Sequence, residues 1–127
     1  MKTLEPGSLT ICLAIRHNKP AVHGACRYEP DTKTVFLYDA PIIRVLNQRG
    51  GLTDRLAIDL CGWGDTATTR RYINSILTRL NLPYRVGRYR KKNYIYKVKE
   101  DGSVEPIAEM PASGATTIPI CETKEVQ

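Results

Sequence analysis

Between residues 66 and 99 the chain has little freedom in what it can become. Ile73, Ile76, Leu77 and Leu80 fall at i, i+3, i+4 and i+7 and line one side of a helix. Asp65, Thr66, Thr68 and Thr69 crowd its start, where short polar side chains accept from orphaned backbone N–H groups. Asn81 suits a left-handed terminating residue, and Pro83 forbids continuation. The spacing predicts a helix over about 67–80. Two strand-length runs follow, Tyr84–Arg90 and Tyr94–Lys99, joined by Lys91-Lys92-Asn93. Paired as a hairpin with Tyr89 near Tyr94, they place Tyr89, Tyr94, Tyr96 and Val98 on one face. Val86, Arg88, Ile95 and Lys97 then occupy the other.

The same segment carries the charge. The net value is +6, yet residues 66–99 hold ten basic and no acidic side chains. Residues 1–65 hold eight basic and seven acidic, and residues 100–127 hold one lysine against six acids. Such local asymmetry says more about a partner than the total does. The basic set is Arg70, Arg71, Arg79, Arg85, Arg88, Arg90, Lys91, Lys92, Lys97 and Lys99. Arginine forks match phosphate oxygens and guanine edges. The interleaved Tyr72, Tyr84, Tyr89, Tyr94 and Tyr96 are of the type that stacks unpaired bases, each worth about 1–3 kcal/mol when so used. Arg70 and Arg71 sit in the first turn of the helix, where the macrodipole disfavours cations, which hints at a use outside the helix.

These features favour a non-enzymatic nucleic-acid-binding protein. It would contact DNA or RNA through Arg70, Arg71, Arg79, Arg85, Arg88, Arg90, Lys91, Lys92 and Lys97, with Tyr89 and Tyr94 beside them. The plainer alternative makes the tyrosines core and the cations a solubilising surface. An acid-free run of this length is unusual for a merely solvated face.

Upstream, the chain reads as short strands: Leu9–Ile15, then Ala21–Tyr28 weakened by Gly24, then Thr34–Tyr38 and Ile42–Leu46. Glu29-Pro30-Asp31 is a turn and Asn47–Asp54 a loop. In Arg55–Cys61, Leu56, Ile58 and Leu60 alternate with Ala57, Asp59 and Cys61, which favours a strand. Past Glu100 the pattern dissolves into an acidic stretch rich in Pro, Ala, Ser, Thr and Gly. The expected architecture is α+β, with a small antiparallel sheet, one main helix over 67–80 and a basic β-hairpin. Residues 1–8 are expected to be a flexible N-terminus, 9–99 a single domain and 100–127 a disordered acidic tail. A winged helix-turn-helix is the alternative, with Ala40–Gln48 and Leu52–Cys61 as its first helices. Pro41 and the β-branched residues there argue against it.

No apolar run is long enough to span a bilayer, and the first residues lack a signal peptide's apolar region, so a cytoplasmic protein without membrane contact is expected. Cys12, Cys26, Cys61 and Cys121 are irregularly spaced, as reduced thiols are. Cys12, His17, His23 and Cys26 have zinc-ligand chemistry, but their spacing matches no common site and no cofactor is expected. Gly62-Trp63-Gly64-Asp65 before the helix could cradle an anion. However, the P-loop lysine is absent and Asp65 would repel phosphate, so a capped helix start with Trp63 in the core is the expectation. The acids Asp54, Asp59 and Asp65 are dispersed, and no nucleophile motif is present. An open strand edge on Leu9–Ile15 would allow a homodimer.

From Gly62 to Asn74 the sequence resembles a widespread group of small bacteriophage and prophage proteins. Their shared pattern is roughly Gly-aromatic-x-Thr-x-Thr-Thr-basic-x-Arg-hydrophobic-Asn. The matching positions are Gly62, Trp63, Thr66, Thr68, Thr69, Arg70 and Asn74. This chain has an extra residue between Trp63 and Thr66, and Tyr72 where the group has a second basic residue. Leu37-Tyr38-Asp39-Ala40-Pro41-Ile42-Ile43 and the basic hairpin are similar too, so the likeness spans roughly residues 34–98. It implies a phage or prophage origin, a host-cytoplasmic location and an α+β domain in which Leu56–Cys61 is a strand. It implies no particular activity. A viral origin also raises a second function: an inhibitor of a host protein, such as an anti-defence factor acting by protein–protein binding.

Overall fold

A computed structural model describes residues 7–49, 52–60, 67–111 and 114–119. The apolar run at residues 9–15, expected as a strand, lies inside a helix, α1 (Ser8–His17). Ser8, Ile11, Cys12 and Ile15 are buried at i, i+3, i+4 and i+7, while Leu9 and Leu13 face outward. A run apolar on every side carries no period of its own, so packing against a second helix selects the helical one. Asn18, at φ 51°, ends it with N–H bonds from Asn18 to the Ile15 carbonyl and from Lys19 to the Ala14 carbonyl. The strand edge imagined for a homodimer at 9–15 therefore does not exist. Ser8 belongs to the helix rather than to a flexible terminus.

Next come β1 (Ala21–His23), β2 (Cys26–Glu29), β3 (Thr34–Leu37), β4 (Ala40–Arg49) and β5 (Leu52–Asp59), each antiparallel to the one before. The strand expected over 21–28 is a hairpin folded at Gly24, whose φ of 61° suits a residue without Cβ. The loop expected over 47–54 is largely strand, with Gln48 opposite Thr53 and Arg49 opposite Leu52. Hydrophobic alternation stops there, but the backbone ladder needs no apolar side chains to continue. Of the segments that a winged helix would use as helices, 40–48 and 52–61, the first is strand throughout and the second is strand over Leu52–Asp59.

Helix α2 (Ala67–Arg79) follows, as its apolar stripe requires: Ile73, Ile76 and Leu77 are fully buried. It terminates as α1 does. Asn81 at φ 62° donates to the Thr78 carbonyl and Leu82 to the Leu77 carbonyl. The expected glycine–tryptophan helix entry lies outside the described residues. Beyond α2 come β6 (Tyr84–Tyr89), β7 (Lys92–Val98), β8 (Val104–Met110) and β9 (Ala115–Pro119).

Two sheets result, one ordered β1-β2-β3-β4-β5-β9 and one ordered β6-β7-β8. Together with the two helices they make the chain an α+β protein of antiparallel strands. The expected disordered tail is corrected by β8 and β9, which complete the open edges of β7 and β5. Among the described residues of this tail only Met110 and Ile118 enter the core, so its burial pattern is too sparse to read from sequence. It is recruited by unpaired backbone groups on the neighbouring strands. Residues 120–127 lie outside the description.

Inner faces of both sheets and both helices meet in one core that includes Ile11, Tyr28, Val35, Ile43, Leu56, Ile73, Ile76, Val86, Ile95 and Ile118. The buried Tyr28 hydroxyl donates to Asn18 Oδ1 at 2.6 Å, and burial pushes its pKa up. Among the described residues no helix is long and apolar enough to cross a membrane.

Candidate nucleic-acid interface

Asn74 couples the main helix to the strand that follows it. Its Nδ2 donates to the Val86 carbonyl at 2.9 Å and its Oδ1 accepts from the Val86 N–H at 2.7 Å. One side-chain amide thus satisfies both backbone groups on the outer edge of β6, as a neighbouring strand would. The clamp also fixes which ends lie together. One helical turn toward the N-terminus from Asn74, about 6 Å along the axis, is Arg70. Two residues along β6 from Val86, about 6.6 Å, is Arg88. The start of α2 and the tip of the hairpin therefore share one end of the unit, with Arg70, Arg71, Arg88, Arg90, Lys91 and Lys92 around it.

The hairpin closes with Tyr89 opposite Lys92, leaving only Arg90 and Lys91 in the turn. Both are left-handed, at φ 51° and 68°. Two-residue hairpin turns of this hand favour Asn-Gly because L side chains are disfavoured there. Arg90 and Lys91 are exposed at the tip, and the Arg90 guanidinium lies 5.2 Å from the Tyr89 ring centroid.

Other members of the expected site are placed differently. Arg79 sits at the far end of α2, its Nε donating to Ser8 Oγ at 3.3 Å while its carbonyl accepts from Cys12 Sγ and Arg16 Nη2. Arg85 folds back onto the turn between α2 and β6, with Nη1 donating to the carbonyls of Leu82 at 2.9 Å and Tyr84 at 2.6 Å. Burial pushes its pKa down. Arg79 and Arg85 thus serve the junction of α1, α2 and β6 rather than the hairpin tip. Lys97 is exposed on β7, opposite Tyr84 on one side and Glu105 on the other.

Strand β8 changes the electrostatics of the segment. Lys92 Nζ is 3.7 Å from Glu109 and Lys99 Nζ is 3.4 Å from Glu105. An acid-free stretch in sequence is therefore bordered by acids in space. All four side chains are more than half exposed, where such pairs are worth at most about 1 kcal/mol. The connection into β8 is held by Asp101, whose Oδ1 accepts from Ser103 Oγ at 2.6 Å and the Ser103 N–H at 2.9 Å. These bonds lower its pKa.

The tyrosines divide by strand parity. Tyr84 is buried in the core, whereas Tyr89, Tyr94 and Tyr96 lie on the outer face with Arg85, Gly87 and Lys92. Tyr94 and Tyr96 have ring centroids 6.0 Å apart with planes at 56°. A Cβ on Gly87 would fall 2.8 Å from Tyr96 Cε2, so the tyrosine ring lies across β6 where glycine leaves room. The alternation in sequence already placed Tyr89, Tyr94 and Tyr96 on this face; Gly87 and Glu109 became part of it only through the cross-strand register.

Beneath the face, Asn93 is buried and its Oδ1 has no hydrogen-bond partner among the described residues. Cys12 lies in α1 and Cys26 in β2, and no metal-holding group of His, Cys, Asp or Glu occurs among the described residues. A cavity of about 600 Å³ opens on the outer face of the six-stranded sheet, lined in part by Phe36, Arg44, Leu46, Ala57, Asp59 and Thr117. It carries one base and one acid from this set and lies on a different sheet from the cationic tip. Beside it Arg27 stacks 4.4 Å from the Phe36 centroid and pairs with Asp39 and Glu29, which raise its pKa.

Antiparallel sheets around two helices, with a cationic hairpin edge, define the structural class. No family model, curated protein or solved structure matches the chain.

Proposed function

We propose that the protein binds nucleic acid, contacting phosphates with the start of α2 and the tip of the β6–β7 hairpin. The observation that carries this reading is the turn itself. Arg90 and Lys91 occupy two consecutive left-handed positions where Asn-Gly would be relaxed. Strained backbone is tolerated where the side chains it displays are needed. Arg70, Arg71, Arg88 and Lys92 converge on the same end because Asn74 sets the height of α2 against β6. Arg79 and Arg85 act as structural residues in this reading, and nothing in the site calls for catalysis. In this reading Asn74 of the phage-like motif is the residue that couples α2 to β6.

Titration of fluorescent DNA and RNA across a salt series tests it. Affinity should fall steeply with salt as phosphate contacts release counterions. Neutralising Arg88, Arg90, Lys91 and Lys92 together should remove most of the affinity with the fold intact. Absence of binding at low salt would refute the reading. The surviving alternative would then be a viral inhibitor of a host protein, for which the exposed Val104 and Ile107 of β8 offer apolar contacts.

A further inference from the structure

Resting on the nucleic-acid reading above, we infer that the ligand is single-stranded and that its bases stack on Tyr89, Tyr94 and Tyr96. The inner side of the three-stranded sheet is closed, because Val86, Ile95 and Met110 are in the core. Helix α2 meets this sheet at that side and at the β6 edge. The outer side presents the three tyrosines with Lys92 beside them and Arg90 and Lys91 at the rim.

Ring geometry favours unpaired bases. Tyr96 lies across β6 with its Cε2–Cδ2 edge at Gly87, where any side chain would collide with it, so glycine is what allows the ring its place beside Tyr94. Tyr94 and Tyr96 are tilted at 56° and do not stack on one another, which leaves each ring able to accept a base. Alternate residues of a strand are about 6.6 Å apart. Stacked bases in a duplex rise only about 3.4 Å per step along each strand. The rings therefore suit an extended strand whose bases have been separated, one ring to a base. A duplex offers base edges in its grooves but covers its base faces with their neighbours, so these rings would have nothing to stack on.

Charge surrounds the face in the manner of a single-strand groove, where cations follow the backbone and aromatic rings take the bases. Glu109 lies opposite Tyr94 on the same face and holds Lys92 at 3.7 Å. That exposed pair is weak enough for a phosphate to displace the carboxylate.

The deciding experiment uses the full chain and three fluorescent probes of equal length at one salt concentration. They are a mixed-sequence single-stranded DNA, its duplex, and an abasic single strand with the same phosphates. The single strand should bind at least tenfold more tightly than either of the others. Tyr94→Leu and Tyr96→Leu should each weaken single-strand binding about tenfold, leave abasic binding unchanged and keep the salt slope. Because the abasic comparison uses the unaltered protein, it decides even if a leucine variant misfolds. Binding of all three probes within twofold, with a normal salt slope, would overturn the stacking inference and leave the phosphate-binding reading standing. No binding to any probe at low salt would overturn both.

Discussion

Replacing Arg90-Lys91 by Asn-Gly should make the protein more stable and a weaker ligand binder at once. Both residues hold positive φ, at 51° and 68°. An L side chain in that region costs about 1–2 kcal/mol per residue, which Gly escapes and Asn partly escapes. The swap therefore recovers about 2–3 kcal/mol of backbone strain. Against this, glycine's larger unfolded-state entropy removes about 0.5–1 kcal/mol. Losing the exposed Arg90–Tyr89 contact removes about 0.5 kcal/mol more. A net gain of about 1 kcal/mol is expected, raising Tm by about 3–5 °C for a chain between the usual size classes. Binding should lose two phosphate contacts, flattening the log K against log salt plot by about 1.4 for a single strand. Urea unfolding and fluorescence anisotropy read the two effects separately. Tyr38→Asn, at a second two-residue left-handed turn among the described residues (Tyr38 φ 51°, Asp39 φ 65°), is the control and should leave affinity unchanged. A loss of stability at 90–91, or an unaltered salt slope, would refute the reasoning.

Asn74→Ala should cost about 2–3 kcal/mol, because it leaves both Val86 backbone groups on the β6 edge without partners; a urea-unfolding cost under half of that would deny the clamp its role. Glu105→Gln with Glu109→Gln should raise affinity for single-stranded DNA several-fold at low salt with less than about 1 kcal/mol change in stability. Weaker binding in that variant would show that β8 helps to shape the site rather than to shield it. Burial pushes the Cys26 thiol from 9.0 up to about 11, so mass spectrometry at pH 8 should find it unalkylated by iodoacetamide until the chain unfolds. Its folded-state pKa is raised, so its contribution to stability is complete below pH 9 and is lost as pH rises from about 9 to about 11. A cysteine-to-alanine variant with the same melting loss over that window would assign the effect elsewhere.

The sequence by itself determined the parts of this protein whose information is local. Helix α2 carries its own stripe in Ile73, Ile76 and Leu77 and its own stop in Asn81 and Pro83, so neighbours were not needed to recognise it. The alternation through Val86, Tyr89, Tyr94, Ile95 and Tyr96 likewise fixes which side chains share a face, since a shift of two residues in register preserves parity. The turn is shorter than its sequence suggests, at Arg90-Lys91 rather than 91–93, and the faces are unchanged.

Tertiary structure decided what depends on partners far along the chain. The run at 9–15 has no period of its own and became helical against α2. Residues 104–110 and 115–119 bury little and became strands because β7 and β5 had backbone groups to satisfy. That second event also changed the charge pattern: acids that follow the basic run in sequence now fold back to border it at Lys92 and Lys99. Arg79 and Arg85, indistinguishable in sequence from the other cations, were drawn into the α1–α2–β6 junction by carbonyl and hydroxyl acceptors that only the fold brings near. A charge count cannot tell that Arg79 and Arg85 serve this junction, because that depends on which acceptors three-dimensional packing places within about 3 Å.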